Sequence, residues 1–213
     1  MSQFEMCYYT NERREMLQYV PYNCKRVLEV GCGFGYFSTL VKERNRAELW
    51  GVEINKEAAD HAALKLDKII YGNLLENFDK LPIKYFDCII FNDVIEHFED
   101  PWSVLLQIKE NLKDGGFIVA SIPNVRFIGN LFELLVHKDW EYKEVGGILD
   151  KTHLRFFTMK SIVRLFESVG YTINVIKGIN GTSSWKVKLL SWFSFKYYND
   201  VKFLQFAIVS SIR

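Results

Sequence analysis

The residues best suited to chemistry lie between positions 27 and 35, in the sequence VLEVGCGFG. An apolar strand there runs into Gly31, Gly33 and Gly35, which predicts a tight turn before the next helix. Glycine has no Cβ, so its backbone can approach a ligand closely. The acidic Glu29 precedes the first glycine, where dinucleotide-binding turns usually have a neutral residue. The segment therefore predicts a nucleotide-binding turn that departs from the dinucleotide pattern.

A second carboxylate, Glu53, ends the next apolar strand. A carboxylate at that place can accept hydrogen bonds from both hydroxyls of a ribose. A nicotinamide-dependent oxidoreductase would share this residue and the surrounding sheet. The spacing disfavours that class, because Gly35 comes one residue early for GxGxxG and Tyr36 takes the place of the last glycine or alanine.

Two further strand ends carry polar residues. Asn73 and Leu74 follow the third predicted strand, and Asn92 follows the fourth. The carboxyl ends of parallel strands meet at one edge of a sheet, and open α/β sheets bind their ligands there. We therefore expect these residues to line the same crevice as the glycine turn.

Short apolar runs alternate with helical stretches along the chain. The predicted strands are Arg26–Val30, Leu49–Ile54, Lys68–Tyr71, Phe86–Phe91, Phe117–Ile122, Tyr171–Lys177 and Val201–Ser210. The predicted helices are Tyr36–Arg44, Lys56–Leu66 with Asn55 as N-cap, Trp102–Leu112 and Met159–Val169. This succession predicts an α/β fold, with a Rossmann-like, doubly wound, seven-stranded and mostly parallel sheet and an antiparallel C-terminal strand.

The domain organisation follows from the same pattern. We expect a single domain over residues 1–213, with an N-terminal helical segment at 1–24. The stretch after the fifth strand is far longer than the about 2–6 residues of an ordinary βα loop. Because residues 124–157 follow the carboxyl end of a strand, we predict that they form a cap over the crevice.

The glycine turn with its preceding acid, together with the strand-end residues, resembles class I S-adenosylmethionine-dependent methyltransferases over roughly residues 25–180. The resemblance implies S-adenosylmethionine as the cofactor and S-adenosylhomocysteine as its product. It implies that Glu29, Gly31 and Gly33 hold the amino-acid portion and that Glu53 holds the ribose. The remaining implied cofactor contacts are Ile54 on an adenine face, Asn73 and Leu74 at the adenine edge, the Asn92 carbonyl at the ammonium, and Tyr9 above the cofactor.

Asn73 departs from the many members of the family that carry Asp at that position. An Asn side-chain oxygen can still accept a hydrogen bond from the adenine amino group.

A narrower resemblance involves Ser121–Val125, Gly147–Asp150 and the segment around His153. These stretches are similar to methyltransferases encoded with bacterial cell-surface polysaccharide and sugar-modifying enzymes. A neutral acceptor hydroxyl is a poor nucleophile, and a histidine base would activate it. His153 is the candidate base, with Asp150 orienting it and Arg155 contacting the acceptor. The alternative is that these three side chains bind one another and pin the insertion to the sheet.

Two other residues are candidates for the acceptor side. His97 follows the fourth strand in the sequence VIEH, and it serves either in catalysis or as part of the scaffold. Asn124 lies just past the fifth strand, and it either contacts the acceptor or forms the turn after Pro123.

The leading hypothesis is O-methylation of a sugar, sugar nucleotide or cell-surface glycan by in-line methyl transfer. N-methylation of an amino sugar is the nearest variant, and methylation of a lipophilic phenol or acid, as in quinone pathways, is another. A hypothesis of a different class is a catalytically inactive partner subunit that only binds the cofactor.

Charge and composition exclude some partners. The 27 Lys and Arg residues balance 26 Asp and Glu, so no nucleic acid partner is expected. With no apolar run of about 18 residues and no signal peptide, we predict a cytoplasmic protein without a transmembrane segment. The four histidines show no metal-ligand spacing, so no metal site is expected. The aromatic stretch 185–198 is a candidate homodimer or membrane-surface contact, or else packs under the sheet edge.

Overall fold

The computed structural model describes residues 9–144, 146–183 and 198–212. Its strands are β1 (Arg26–Val30), β2 (Glu48–Glu53), β3 (Lys68–Tyr71), β4 (Phe86–Asn92), β5 (Leu112–Pro123), β6 (Tyr171–Gly181) and β7 (Phe203–Ile212). Its helices are α1 (Arg14–Leu17), α2 (Tyr36–Asn45), α3 (Lys56–Ala63), α4 (Pro101–Ile108), α5 (Ile128–Phe132) and α6 (Met159–Ser168). Within these ranges, no helix is long and apolar enough to cross a membrane.

The seven strands form one sheet in the order β3-β2-β1-β4-β5-β7-β6. Strands β1 to β5 run parallel, whereas β7 is antiparallel to both β5 and β6. The predicted fold is confirmed, including the antiparallel last strand. The chain runs outward from β1 to β3 and then returns to the other side of β1 with β4. Open α/β sheets bind ligands at such a switch point, so the crevice is expected between the carboxyl ends of β1 and β4.

The central strands are apolar on both faces because helices cover both sides of the sheet. Side chains alternate between the faces along each strand. Leu28 and Ile89 therefore belong to one hydrophobic cluster, whereas Val27 and Cys88 belong to the other. All four side chains are fully buried. The continuous apolar runs in the sequence predicted this burial on both faces, which is typical of parallel strands.

Local signals explain several helix boundaries, and the predicted Asn55 N-cap is confirmed. Its side-chain oxygen accepts a hydrogen bond from Ala58 N at 3.0 Å. The predicted end of the third helix at Leu112 is wrong, because α4 ends at Ile108 and Leu112 already begins β5. Leu112 of β5 pairs with Phe86 of β4, and the register of the two strands shifts just after this pair. The hydrophobic periodicity of the sequence does not reveal such an irregularity.

Residues 124–157 leave the sheet at the carboxyl end of β5 and return to the same point. Val125 N donates to Phe157 O at 2.9 Å, and Asn124 forms a parallel bridge with Phe157. Within this insertion, α5 continues into a π-helical turn at Glu133–His137. Thr158 then caps α6 through a reciprocal capping box with Ser161. The insertion thus starts and ends at the edge where ligands bind, the place expected for a cap.

Two predicted segments are only partly described. In the N-terminal segment 1–24, the structure places a helix at Arg14–Leu17. The aromatic stretch 185–198 lies outside the described residues apart from Tyr198. The predicted dimer or membrane contact at this stretch stays a prediction.

Candidate functional site

The turn after β1 requires its glycines. Gly31, Gly33 and Gly35 have φ values of 68°, 53° and 76°, a region that side chains with a Cβ rarely adopt. A Cβ on Gly31 would also lie 2.7 Å from Cγ2 of Val94, which follows β4. The loops after β1 and β4 are therefore in contact, as expected for a crevice between these strands.

Glu53 connects this turn to the end of β2. It is 3% exposed, and its carboxylate accepts hydrogen bonds from Gly33 N at 2.8 Å and Asn55 N at 2.9 Å. Burial raises the pKa of Glu53, and the backbone N–H groups partly oppose that shift. The structure thus places this carboxylate against the glycine turn, as the sequence predicted.

Glu29 is a second carboxylate buried beneath the turn. Its oxygens accept hydrogen bonds from Ser38 Oγ at 2.5 Å and from Asn92 Nδ2 at 3.1 Å. Burial raises the pKa of Glu29 to about 7, although both hydrogen bonds lower it. The Asn92 side-chain oxygen is buried with no hydrogen-bond partner among the described residues. Acidic and amide groups from β1 and β4 thus meet at the crevice.

The ends of β2 and β3 supply an apolar surface beside these polar groups. Ile54, directly after Glu53, is 65% exposed, which is unusual for a large aliphatic side chain at the end of a buried strand. Asn73 Oδ1 accepts a hydrogen bond from Leu75 N at 3.1 Å and so caps a short 3₁₀ helix that begins with the buried Leu74. A carbonyl oxygen has two lone pairs, so Asn73 can accept a second hydrogen bond.

The N-terminal segment lies on the glycine turn. Tyr9 O accepts a hydrogen bond from Phe34 N at 3.2 Å, and the Tyr9 ring stacks on Phe34 with centroids 5.8 Å apart. Tyr9 O would also lie 3.1 Å from a Cβ on Gly33. The structure therefore brings Tyr9 to the glycine turn.

Sequence reasoning missed the ion pair that holds this segment in place. Arg13 forms a short salt bridge with Asp93, just past β4, and its guanidinium also donates to Ser121 Oγ at 3.1 Å. Gln205 on β7 donates to Asp93 Oδ1 at 2.7 Å and accepts from Arg13 at 3.3 Å. Asp93 has a left-handed φ of 54°, but no signal in the sequence links it to a residue near the N-terminus.

A cluster of three side chains lies next to this ion pair. Glu96 and His97 come from the 3₁₀ helix after β4, and His153 comes from the end of the insertion. The two imidazole rings are 4.8 Å apart in an edge-to-face arrangement, and His153 Nε2 is 4.0 Å from Glu96 Oε1. Both predicted histidines therefore meet at the edge of the sheet, together with a carboxylate that sequence reasoning had not singled out.

The predicted partners of His153 take other roles. The Asp150 carboxylate accepts hydrogen bonds from Thr152 N and Oγ1 and from Gly146 N, so it stabilises its own turn. His153 Nδ1 faces the Ile148 carbonyl at 2.9 Å instead. This carbonyl, and not the expected Asp150 carboxylate, orients the ring.

Arg155 and Asn124 also serve the scaffold. The Arg155 guanidinium donates to the Glu99 carbonyl, and its backbone N–H donates to Glu96 O at 3.0 Å. The Asn124 amide is completely buried and donates to the carbonyls of Asp200 and Phe203. At Asn124 the structure favours the alternative of a turn residue over an acceptor contact, because the side chain is enclosed by this backbone and its oxygen accepts a hydrogen bond from Arg126 N at 3.1 Å. Arg155 holds the insertion to the loop after β4, but through the carbonyls of Glu96 and Glu99 and not through Asp150 and His153 as the alternative expected.

The family of the chain follows from the comparison of its sequence with family models. Residues 8–175 match the model described as a methyltransferase domain. The chain belongs to this family. The predicted enzyme class and cofactor are confirmed: the protein is an S-adenosylmethionine-dependent methyltransferase.

The methyltransferase also resembles individual proteins. It is 27% identical over 188 residues to an uncharacterized protein of Methanocaldococcus jannaschii, covering 84% of this chain and 82% of that protein. It is 28% identical over 163 residues to the ubiquinone biosynthesis O-methyltransferase of Aeromonas salmonicida, covering 73% and 66%. A solved S-adenosylmethionine-dependent methyltransferase from Archaeoglobus fulgidus shares the fold, with a TM-score of 0.69 at 22% identity over 98% of this chain and 97% of that one.

The charges at the crevice of the methyltransferase suit a cationic ligand. S-adenosylmethionine carries a sulfonium and an ammonium group, which are both positively charged. A positive charge near a carboxylate favours the ionised form of that carboxylate. Glu29 and Glu53 are buried carboxylates with raised pKa values at this place. Binding of a cation beside them would compensate their burial.

We expect Glu29→Gln to change how the stability of the methyltransferase depends on pH. The pKa of Glu29 is about 7 in the folded chain against an ordinary value of 4.5, so between these values the folded state retains a proton that the unfolded state has released. The free energy of unfolding therefore falls as the pH rises from about 4.5 to about 7. The variant should show a slope that is shallower by on the order of 1 kcal/mol per pH unit in urea titrations.

The matched control is Glu57→Gln, on the exposed side of α3. It should reproduce the wild-type slope. A Glu29→Gln profile parallel to that of the wild type would contradict the buried, proton-holding state of Glu29.

Proposed function

We propose that the methyltransferase transfers a methyl group from S-adenosylmethionine to a hydroxyl oxygen of a small-molecule or glycan acceptor bound beneath the 124–157 insertion. The observation that carries the proposal is that the loop after β4 contacts the glycine turn at Val94 and also carries His97, whose ring lies against that of His153. The turn provides a place for the cofactor, and the pair provides nitrogen lone pairs for an acceptor. The reaction itself is an in-line displacement in which the protein supplies alignment.

For the cofactor, we propose that Glu53 accepts the ribose hydroxyls and that Ile54 packs on the adenine. Each Glu53 oxygen keeps a lone pair after its backbone hydrogen bond. The exposure of Ile54 leaves an aliphatic face available for a planar ring. The adenine edge would then lie near Asn73 and Leu74.

The methionine end of the cofactor would lie over Gly31 and Gly33, close to Glu29 and Asn92. The unpartnered side-chain oxygen of Asn92 supports this placement, because a buried acceptor without a donor is costly. Tyr9 would cover the cofactor from the N-terminal segment.

For the acceptor, we propose a sugar, a sugar nucleotide or a glycan end as the leading class. His153 supports O-methylation because its Nδ1 faces a carbonyl, which leaves the Nε2 lone pair available to take a proton from a hydroxyl. The resemblance of the segments around Asp150 and His153 to sugar-modifying methyltransferases favours this class. Because Asp150 is occupied in its own turn, we assign it a positioning role for the insertion.

A lipophilic phenol is the second candidate, favoured by an apolar surface on the insertion. Phe132, Leu135 and Val136 are 51%, 73% and 57% exposed on consecutive helical turns. Exposed apolar side chains grouped in this way are typical of contact with a lipophilic ligand, a membrane surface or a protein. The likeness to a ubiquinone biosynthesis O-methyltransferase agrees with this candidate.

The assignment of Glu53 predicts that Glu53→Gln binds S-adenosylhomocysteine at least about tenfold more weakly, because a charged acceptor for two hydroxyls is lost. Isothermal titration calorimetry measures the change, and NAD should give no heat of binding with either protein. Glu43→Gln on the exposed side of α2 is the control and should keep the wild-type affinity. Equal affinities of Glu53→Gln and wild type would overturn the assignment.

The assignment of His153 predicts that His153→Ala lowers kcat by at least about 100-fold, because activation of the hydroxyl is lost. Turnover is measured with methyl-labelled S-adenosylmethionine on sugar nucleotides and, in parallel, on catechols. His137→Ala is the control, since His137 pairs with Glu133 on the exposed π-helical turn.

Full turnover of His153→Ala would refute the role of His153, and turnover on catechols alone would replace the sugar by the lipophilic candidate. A chain that binds the cofactor but methylates neither class would favour the inactive partner subunit.

A further inference from the structure

The cluster of Glu96, His97 and His153 has a feature that acid–base catalysis does not require. One side-chain atom from each of the three residues lies within 4.8 Å of the other two. Glu96 and His97 are sequence neighbours, but His153 reaches them only through the fold of the insertion. Linear spacing therefore could not reveal the group, and the sequence-based expectation of no metal site rested on that spacing alone.

Both histidines have the same ring nitrogen, Nδ1, against a backbone carbonyl. His97 Nδ1 is 3.0 Å from Thr152 O, and His153 Nδ1 is 2.9 Å from Ile148 O. A carbonyl oxygen only accepts hydrogen bonds, so each Nδ1 carries the hydrogen and each Nε2 carries a lone pair. Metal-binding histidines are held in this way, with the second nitrogen donating to a carbonyl or carboxylate.

Glu96 is the third side chain, and its burial needs an explanation. It is 1% exposed, and neither carboxylate oxygen has a hydrogen-bond partner among the described residues. Burial raises its pKa to about 8. A buried carboxylate without a partner is strongly unfavourable, and proteins normally pair such a group or use it to coordinate a metal.

The distances favour a shared ion over a direct contact. His153 Nε2 and Glu96 Oε1 are 4.0 Å apart, too far for a hydrogen bond. Two ligand atoms that each lie about 2.0–2.2 Å from one metal ion are about 3–4 Å apart. The observed separation therefore leaves space for an ion and needs only small side-chain adjustments.

We propose that Glu96, His97 Nε2 and His153 Nε2 form a three-ligand site for a divalent transition-metal ion such as Zn²⁺ or Mn²⁺. Two imidazoles and one carboxylate, without sulfur, match the ligand preference of these ions, whereas Mg²⁺ and Ca²⁺ prefer oxygen ligands alone. Three protein ligands leave at least one coordination position open for another molecule.

The site lies close enough to the cofactor turn to act on the acceptor. The salt bridge between Arg13 and Asp93 ties the N-terminal segment, which lies on the glycine turn, to the loop that carries Glu96. Val94, between β4 and Glu96, packs against Gly31. An acceptor oxygen on the ion would therefore be near the methyl donor.

In the proposed O-methylation, the ion would activate the acceptor hydroxyl in place of a free histidine base. This role of the ion rests on the proposed function. A hydroxyl bound to a metal ion loses its proton more readily, and the proton passes to solvent water. The oxygen lone pair then forms the bond to the methyl carbon. The carbon–sulfur bond breaks with its electron pair on sulfur, and the neutral thioether S-adenosylhomocysteine leaves.

The test is metal binding by the full chain after treatment with EDTA and desalting. Calorimetry with ZnCl₂ and electron paramagnetic resonance with MnCl₂ should each show one ion per chain. Glu96→Gln, His97→Ala and His153→Ala should each weaken this binding at least about 100-fold. His137→Ala is the matched control, because it removes a histidine paired with an exposed glutamate and should bind as the wild type does.

Two measurements separate this proposal from the proposed function and from misfolding. Each cluster variant should bind S-adenosylhomocysteine within about twofold of the wild type, which shows that it is folded. Binding of S-adenosylhomocysteine without stoichiometric metal, or equal metal binding by the cluster variants and the wild type, would overturn the metal site and leave the methyltransferase assignment standing. Methyl transfer that persists unchanged in EDTA would overturn the activating role of the ion.

Discussion

The burial of three carboxylates at one edge of the sheet is the constraint on which the rest of the structure depends. Glu29, Glu53 and Glu96 are 3%, 3% and 1% exposed, and burial raises the pKa of each. A buried carboxylate destabilises the folded chain unless hydrogen bonds or a cation compensate it. The charge of Arg13 acts on Glu29 and Glu96. The fold thus gathers three acidic groups whose charged forms burial disfavours, and a cation bound beside them would favour those charged forms.

Several local features follow from this constraint. The glycine turn brings the N–H of Gly33, whose backbone is left-handed, to the Glu53 carboxylate. Arg13 reaches the edge because the N-terminal segment lies over that turn, and its salt bridge with Asp93 fixes it there. Burial of these carboxylates therefore lowers the stability of the fold at the edge where we propose that the cofactor binds, a relation common at functional sites. The insertion contributes His153 to the same edge, next to Glu96 and His97.

The sequence sufficed for the features that depend on local pattern. Continuous apolar runs predicted the parallel strands, and the glycines with Glu53 predicted the crevice, because both follow from short-range backbone geometry. Contacts between distant segments could not be predicted in this way. No periodicity relates Arg13 to Asp93 or His153 to Glu96, and the burial of Glu96 depends on the packing of the whole edge. The sequence left the role of Asn124 open for the same reason, since its partners Asp200 and Phe203 lie far along the chain, just before and at the start of β7.

Proton release on cofactor binding tests the central claim most directly. At pH 6 the carboxyl of Glu29, with a pKa of about 7, is mostly protonated in the free methyltransferase. A cationic cofactor beside it should lower that pKa and expel the proton. Calorimetry with S-adenosylmethionine, in EDTA and in buffers of different ionisation enthalpy, should therefore show net release of protons at pH 6 and much less at pH 8.5. Binding with no net proton release at pH 6 would contradict the account.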